Sequence, residues 1–465
     1  MKKLLTLLIS VCLITSLAAC SSNTKPTTSE NEKQEKQKPQ KQQKAQKPQE
    51  KVLKIAGLNG GYGVEHWKEL ASKFEAANPG VKIELTLEKN IAEILRPQIQ
   101  ARNIPDIIYL AVGSEGKLTD TLIKEKAIQD ITDVLDMEVP NEGIKVKDKI
   151  VPGFTDTLIT NPYGDGKTYL VPLFYSPCGL FYNKDLFEEG KYKFPETWDE
   201  LLALGETAKS DGISLFTYPT TGYFDAFFYA LLNEVGGANL FNEAMNYEEE
   251  AWTSKEATKA FELIGELAKY THPDTVSQAN KEGFTKNQQL ILDNKALFIP
   301  NGTWLPGEMK DAPRADGFKW GFTALPKVKA DQDAYSYTFF EQMYIPEGAK
   351  EVDLAKKFMA YMYSDEAAKI IFEKGHAVQP IIGVSKFMQD EDQNKLFYSV
   401  YDNGAKAAMG GFAAAPPVEG VDLTSSEGIL FGTVNSIVTK NKTVEQWQKE
   451  VIEAAVKIRK AMKSE

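Results

Sequence analysis

The chain has 465 residues and a formal net charge of −11, from 54 Lys and Arg against 65 Asp and Glu. Beyond residue 50 the acidic excess grows to 61 acidic against 45 basic residues, a charge of about −16, which argues against a broad surface for nucleic acid or anionic lipid. Of the three cysteines only Cys178 lies beyond residue 50, so that part of the chain can form neither an internal disulfide nor a cysteine-based metal site.

The first twenty residues have the pattern of a bacterial lipoprotein signal. Two lysines give the positive start, and Leu4–Leu17 is an apolar run too short to span a bilayer. Two alanines then directly precede Cys20. The pattern predicts a signal peptide over 1–19, cleavage ahead of Cys20 and a lipid on its thiol. An ordinary signal peptide followed by a chance cysteine is the alternative.

Residues 21–50 contain no aromatic and no branched aliphatic side chain. Such a segment cannot bury enough apolar surface to offset the entropy of ordering it, so residues 20–50 are predicted to be the lipidated cysteine and a disordered tether. The tether and Ser21 favour the outer face of a Gram-positive cell membrane. The remaining 415 residues are enough to form two lobes without cross-links.

Strand and helix patterns alternate at the start of the region beyond residue 50, which we call the body of the protein. Apolar strands are predicted at 52–58, 81–87 and 106–110, with helices at 67–74 and 91–101 between them. This β-α-β-α-β order implies parallel strands joined by right-handed crossovers, and therefore an α/β fold.

The middle of the chain continues the same theme. Strands are predicted at 168–173, 179–182 and 213–218, and Thr197 with Glu200 forms the capping-box pattern of a helix that ends near residue 209. Further helices are predicted at 224–235, 254–270, 285–293, 350–363, 365–374 and 443–463.

Patterns typical of enzymes are incomplete. Gly61 and Gly63 suggest a dinucleotide turn, but His66 occupies the third glycine position. Gly166-Lys167-Thr168 resembles the end of a phosphate loop that lacks its first glycine. The three histidines have no ligand partners at metal-binding spacing and are expected to be satisfied or on the surface. We therefore expect no catalytic residue, no cofactor and no metal.

Four ordered segments resemble the family 1 extracellular solute-binding proteins of ABC importers, a class that includes maltose-binding proteins. The segments are Asp106–Ala111, Gly166–Tyr169 with Pro172, Leu180–Phe187 with Pro195–Leu201, and Asn301–Trp304 with Trp320–Pro326. The resemblance implies a periplasmic-binding-protein-like fold of type II, with two α/β lobes joined by a hinge of three crossings. Lobe 1 is expected over 51–174 and 323–362, and lobe 2 over 175–322 and 363–465. The resemblance also implies that the lobes close on a ligand and that the protein, as a monomer, presents this ligand to a membrane permease.

Aromatic residues beside glycine or proline in predicted loops favour a carbohydrate ligand, because sugar rings stack on aromatic planes. The candidates are Tyr62, Tyr175, Tyr223, Trp304 and Phe339. Trp304 is the favoured stacking platform, since it also lies in the family motif that supplies one. Core packing is the alternative for each of them, and for Tyr175 the two roles are equally favoured.

Polar candidates follow predicted strand ends, where parallel sheets place their ligands. They are Asn59 after the first strand and Gly113, Ser114 and Glu115 after the third. Glu115 could accept sugar hydroxyls, and interaction with a helix N-terminus is the alternative. Glu341 lies inside an apolar strand, 337–345, where an unpaired charge is costly. A position facing the ligand explains it, and an edge position in solvent is the alternative.

The segment that begins at Asn301 resembles the branch of the family for N-acetylglucosamine and chitobiose. This resemblance ranks amino-sugar oligosaccharides first and neutral glucans or plant-derived oligosaccharides second. The leading hypothesis is an extracellular carbohydrate receptor that delivers an oligosaccharide to an ABC importer and is not an enzyme. A membrane-anchored glycoside hydrolase stays open, because no spacing selects among the many carboxylate pairs. An adhesin or scaffold lipoprotein is the third alternative.

Overall fold

The computed structural model describes residues 50–463, apart from Glu115, Asp156, Glu189, Thr221, Gly222, Lys281, Glu391 and Ala414. The predicted signal peptide, Cys20 and most of the tether lie outside these residues, so those features stay predictions. Within the described part of the chain, no helix is both long enough and apolar enough to cross a bilayer.

Nine strands form one mixed sheet in the described residues. They are β1 (Lys51–Leu58), β2 (Val81–Glu88), β3 (Ile107–Tyr109), β4 (Val171–Asn183), β5 (Ser214–Phe216), β6 (Ala296–Gly302), β7 (Trp320–Thr323), β8 (Tyr335–Tyr344) and β9 (Lys406–Ala408). Their order is β2-β1-β3-β8-β4-β6-β5, with β7 paired to β4 and β9 to β8.

The helices cover the sheet and connect its strands. They are α1 (Glu65–Ala77), α2 (Ile91–Gln100), α3 (Leu118–Lys124), α4 (Val146–Lys149), α5 (Asp185–Glu188), α6 (Trp198–Ser210), α7 (Phe224–Met245), α8 (Glu249–Thr253), α9 (Lys255–Ala268), α10 (Thr275–Gln278), α11 (Phe284–Leu292), α12 (Leu305–Glu308), α13 (Val352–Met362), α14 (Asp365–Gly375), α15 (Gln393–Asp402), α16 (Val434–Val438) and α17 (Val444–Met462). Two 3₁₀ helices span Thr132–Asp136 and Val384–Phe387.

The opening β-α-β-α-β unit is confirmed. β1 pairs in parallel with β2 along its whole length and with β3 at its far end. α1 buries Trp67, Leu70 and Phe74, which recur at helical spacing and pack on this part of the sheet. The capped start of α6 is also confirmed, because the Thr197 hydroxyl accepts the Glu200 amide at 3.3 Å.

Two long strands, β4 and β8, run through the middle of the sheet. β4 is a single strand of 13 residues, where the sequence predicted two shorter ones. Its first part pairs with β8 and its second part with β6 and β7. β8 pairs with β3 at Ile108 and Tyr109 and with β9 at its other end. Both strands therefore connect the β1–β3 side of the sheet to the β5–β7 side.

The buried core separates into two large clusters and one smaller cluster. One large cluster includes Leu53, Trp67 and Ile371, and the other includes Trp198, Phe228 and Trp447. The sequence scheme assigned all of 363–465 to lobe 2, but α14 packs against α1, and Gly375 lies directly on His66. α14 therefore lies on the side of the molecule that contains β1, β2 and β3.

Candidate functional site

Side chains from distant parts of the sequence meet on one face of the β4–β8 pair. Phe339 lies opposite Ser176, and Glu341 lies opposite Phe174. Alternate residues of a strand share a face, so these four side chains point the same way. We call the following set the aromatic strip: Tyr62, Tyr109, Phe174, Ser176, Tyr223, Trp304, Phe339 and Glu341.

Tyr62 lies over one end of the strip. It belongs to the glycine-rich turn between β1 and α1, and its ring packs edge-on against Phe174 with centroids 5.2 Å apart. Its hydroxyl is 3.4 Å from the Ser176 Oγ. Burial is the main cause that raises the pKa of Tyr62, and the negative charge of Glu341 adds to it. A half-buried phenol in this position offers both an aromatic face and a hydrogen-bonding group.

Tyr109 supports the same end from beneath. Its ring centroid is 5.5 Å from that of Phe174, and its hydroxyl donates a short hydrogen bond to the Glu341 carboxylate. The ring packs against the backbone of Gly57 on the neighbouring strand, where an added Cβ would come within 2.8 Å of it. Gly57 therefore allows the close approach that places Tyr109 under Glu341.

Glu341 is a half-buried carboxylate with no cationic neighbour among the described residues. Burial raises its pKa above the usual value, and the Tyr109 hydrogen bond opposes that rise. A raised carboxyl pKa means that the folded state disfavours the ionised form. The protonated Glu341 carboxyl therefore stabilises the folded state. This stabilisation is complete below the pKa of the unfolded state and is lost as the pH rises through the pKa of the folded state.

Glu341→Gln is expected to raise the thermal midpoint of the ligand-free protein by about 1–2 °C at neutral pH, because it removes a desolvated charge and keeps an acceptor for Tyr109. Differential scanning calorimetry at pH 7.5 and at pH 4 checks this. The gain should shrink at the lower pH, where the wild-type carboxyl is largely protonated. A midpoint that falls at pH 7.5 would show that the charge is stabilised by a group the structure does not describe.

Trp304 forms the other end of the strip. It follows β6 in the Asn301-Gly302-Thr303-Trp304 motif and is half-buried. Its ring centroid is 5.6 Å from Tyr223 and 6.0 Å from Phe339. Phe339 is 40% exposed, which is unusual for a large apolar side chain on a central strand. The indole N–H of Trp304 is buried, and its interaction with the Tyr223 hydroxyl lowers the pKa of that phenol.

Gly302 explains how the indole reaches its position. A Cβ on Gly302 would come within 2.2 Å of the Trp304 ring, so the ring lies flat over the backbone of this glycine. The family motif therefore has a physical basis, because the glycine leaves room for the aromatic platform two residues later.

Gly302→Ala is expected to displace the Trp304 ring and to weaken ligand binding by about 1–3 kcal/mol, the range for losing one aromatic anchor. Titration calorimetry measures the affinity, and the tryptophan emission spectrum of the ligand-free protein reports the movement of the ring. Gly307→Ala is a matched control nearby, because an added Cβ at Gly307 meets nothing within 4 Å. An unchanged affinity in Gly302→Ala would remove Trp304 from the ligand site.

Tyr223 carries a polar extension of this end. Its hydroxyl donates to Glu308 at 3.3 Å, and the other oxygen of that carboxylate accepts from Gln288 at 2.8 Å. Burial and the Glu308 charge raise the pKa of Tyr223 to about 12, and a hydrogen bond from the Trp304 indole acts in the opposite direction. The phenol is therefore neutral at physiological pH and held in a fixed position beside Trp304.

The loop candidates make local contacts. The Asn59 amide donates to the Glu88 carbonyl at 3.1 Å, and the Gly113 amide donates to the Asp120 carboxylate at 2.9 Å. The Ser114 hydroxyl donates to the Ala111 carbonyl at 2.6 Å. None of these three hydrogen bonds connects the loops to the aromatic strip. Glu115 lies outside the described residues.

Tyr175 lies on the opposite face of β4, in the core. It is 1% exposed, and its ring packs against Phe154, Tyr398 and Tyr401. This burial favours the core-packing role that the sequence left open. These two neighbouring residues of β4 therefore point to opposite faces of the sheet. Ser176 belongs to the aromatic strip, and Tyr175 packs in the core.

Three polar residues near the strip were not among the sequence candidates. Tyr109 and Ser176 belong to the strip itself, and Asp225 lies at the start of α7, two residues after Tyr223. The signal for Ser176 was a polar residue between apolar ones in a strand pattern. Tyr109 and Asp225 carried no comparable signal, because an apolar strand and a helix start explain them locally. No cluster of three His, Cys, Asp or Glu side chains in the described residues has the arrangement of a metal site.

Comparison with known proteins gives a family and several relatives. The pattern of the family described as "Bacterial extracellular solute-binding protein" matches residues 69–397. The diacetylchitobiose binding protein of Streptomyces coelicolor is 26% identical over 327 residues, which cover 68% of this chain and 66% of that protein, just under two thirds of its length. The multiple sugar-binding protein of Streptococcus mutans is 24% identical over 337 residues, covering 70% and 73% of the two chains.

The fold has close counterparts among solved structures. The ligand-free form of RafE from Streptococcus pneumoniae superposes with a TM-score of 0.63 at 17% identity, covering 89% of this chain and all of that one (100%). At this identity the likeness shows the fold alone. The predicted α/β fold of the periplasmic-binding-protein type is thereby confirmed.

Proposed function

Because the chain belongs to the bacterial extracellular solute-binding proteins, as its motifs predicted, we propose that it is a carbohydrate receptor for an ABC importer. The observation that carries this proposal is the aromatic strip, in which the partly exposed rings of Tyr62, Tyr223, Trp304 and Phe339 lie close to hydrogen-bonding groups on one face of the β4–β8 pair. Sugars match such a surface, since their C–H faces stack on rings and their hydroxyl edges reach polar groups.

Among carbohydrates we rank amino-sugar oligosaccharides first. The similarity to a protein named for binding diacetylchitobiose supports this ranking, as does the Asn301–Trp304 motif. The multiple sugar-binding relative supports the broader class of oligosaccharides. The ligand lies across Trp304 and Phe339 and reaches Tyr62 and Glu341 at the far end of the strip.

Closure of two lobes is the proposed mode of action. β4 and β8 pass from one side of the sheet to the other, and the strip lies on them, so a ligand bound there touches both sides. We place the lobes as the sequence predicted, except that α14 belongs with lobe 1 because it packs on α1. Hinge bending at the long strands then closes the rings of Tyr62 and Trp304 on the same ligand. The role is binding and delivery, without catalysis.

The lipid on Cys20 would hold this receptor at the outer face of the membrane, beside its permease. Cys20→Ala tests this part separately. We expect the variant to appear in the culture medium or as an uncleaved precursor, while the wild type stays with the membrane and incorporates labelled palmitate.

Thermal-shift assays with diacetylchitobiose, maltotriose and xylobiose test the receptor proposal. We expect the first sugar to raise the unfolding temperature most, and chromatography to recover it intact after long incubation. Stabilisation by the other two sugars alone would discard the amino-sugar ranking and keep the carbohydrate receptor. Hydrolysis of any of them would instead favour a glycosidase, and the absence of any shift would contradict the whole proposal.

A further inference from the structure

Glu308 connects three helices at the Trp304 end of the aromatic strip. Its backbone amide donates to the Trp304 carbonyl at 3.0 Å, so Glu308 lies one helical turn beyond Trp304. Its two carboxylate oxygens accept from different elements. One accepts the Tyr223 hydroxyl at 3.3 Å, directly before α7, and the other accepts the Gln288 amide at 2.8 Å, on α11. One exposed side chain at the end of α12 therefore joins α7 to α11.

Gln288 holds this carboxylate from the core side. The Gln288 side chain is fully buried, on the same helix face region that buries Leu290 and Ile291. Its amide oxygen has no hydrogen-bond partner among the described residues, so its amide nitrogen makes the bond that anchors it. A hydrogen bond from a buried amide to a carboxylate is charge-assisted, and losing it would leave a buried donor unpaired. The Glu308 carboxylate is therefore held in place without a ligand.

Glu308 in turn fixes the ring of Tyr223. An ionised carboxylate only accepts hydrogen bonds, so the Tyr223 hydroxyl must be the donor. The Tyr223 ring centroid lies 6.1 Å from that of Phe284 and 5.6 Å from that of Trp304. A phenol that is held at its hydroxyl and packed against two rings has one favoured orientation, and this orientation supports the Trp304 indole.

Other roles of Glu308 agree less well with these contacts. The carboxylate forms no ion pair with any described residue, so it is not half of a surface salt bridge. α12 has only four residues and Glu308 is the last of them, so an interaction with the amino end of this helix does not explain its place. Both oxygens instead bind neutral donors from other helices, as expected for a side chain that holds its neighbours.

We propose that Glu308 is a positioning residue of the ligand site, which holds the Tyr223 phenol against the Trp304 indole so that the two rings form one preformed platform for a sugar. This inference rests on the proposed function and adds a residue to its site. Side chains that are already ordered do not lose their conformational freedom when the ligand binds, and each such side chain is worth about threefold to tenfold in affinity.

Titration calorimetry of the full chain tests the inference, with the sugar that the wild type binds among diacetylchitobiose, maltotriose and xylobiose. Glu308→Ala is expected to weaken binding by about threefold to tenfold, while circular dichroism shows the same folded protein. Glu308→Gln should lose less than about twofold. Its side-chain carbonyl still accepts from Tyr223, and the unpaired oxygen of Gln288 can turn to accept from the new amide. Glu262→Ala removes an exposed carboxylate on α9 and is the matched control, with unchanged affinity expected.

Two further measurements separate positioning from other effects. The tryptophan emission of ligand-free Glu308→Ala should differ from that of the wild type, and this difference should vanish when both proteins also carry Trp304→Phe. In a double-mutant cycle, Glu308→Ala combined with Tyr223→Phe should bind about as weakly as the weaker single variant, because both changes break the same contact.

Wild-type affinity in Glu308→Ala, or additive losses in the cycle, would overturn the inference and leave the receptor proposal standing. Equal losses in Glu308→Ala and Glu308→Gln would also overturn it, since the charge would then act on the ligand directly. If the wild type binds none of the three sugars, the receptor proposal falls, and the emission measurement alone decides whether Glu308 positions the rings.

Discussion

Trp304→Ala is expected to weaken oligosaccharide binding by about 1–3 kcal/mol, roughly 5-fold to 150-fold in Kd, while the ligand-free protein still folds. The indole supplies the largest aromatic face of the strip. It is only half-buried and packs on Tyr223 and Phe339, so its removal leaves the two large core clusters intact. Calorimetric titration and circular dichroism on the same sample measure both effects.

Trp320→Ala is the matched control for this variant. Trp320 is also half-buried, but it lies on β7 and packs against Phe181 and Phe318, outside the aromatic strip. We expect it to lower stability and to leave the affinity unchanged. If Trp304→Ala instead unfolds without ligand, the indole belongs to the core and the strip loses its main platform.

Local patterns were sufficient to predict the first half of the sheet. The strand and helix periods at the start of the body correspond to β1, α1, β2, α2 and β3, because each element buries a face that its own sequence marks. The sequence of β6 shows no such periodic pattern. The strand is buried along its whole length, and Pro300 argues against a central strand, yet it lies between β4 and β5. Its place depends on pairing partners that are distant in sequence, at Cys178–Phe181 on β4 and at Ser214 and Phe216 on β5.

The candidate site shows the same division between local and long-range information. Trp304 and Tyr62 could be selected because each is an aromatic residue in a glycine-rich loop. The carboxylate–phenol pair of Glu341 and Tyr109 could not be selected as a pair, because its members are 232 residues apart in sequence and meet only through the β3–β8 and β4–β8 pairings. Tyr175 and Ser176 are neighbours in sequence but lie on opposite faces, which the strand register alone decides.

His66 is the residue for which the sequence expectation was wrong. The sequence predicted a satisfied or surface histidine, but the side chain is fully buried and neither ring nitrogen has a hydrogen-bond partner among the described residues. It packs between Trp67 and Phe174, with ring centroids 5.7 and 5.6 Å away, and against Gly375 at the end of α14. It therefore lies directly beneath the Tyr62 end of the strip and connects α1 to α14.

Acidification is expected to destabilise the protein through this histidine. Burial lowers the pKa of His66 to about 4, whereas an unfolded chain has a value near 6.5. Between these two values the unfolded state binds a proton that the folded state does not, so the stabilising contribution is full above pH 6.5 and is lost as the pH falls toward 4. The loss approaches about 1.4 kcal/mol per pH unit in this window, or about 3 kcal/mol in total.

His66→Leu should remove this dependence, because leucine is apolar, close in volume and does not titrate. Urea unfolding at pH 7 and pH 4.5 should show a pH-dependent loss of stability smaller by about 2–3 kcal/mol in the variant than in the wild type. His376→Asn, at an exposed position, is the control and should keep the wild-type difference. Equal pH dependence in the wild type and His66→Leu would mean that carboxylates alone cause the acid sensitivity. A reduced dependence would instead show that the packing beneath Tyr62 requires a neutral ring, and that the α1–α14 contact beside the proposed site loosens when that ring gains a charge.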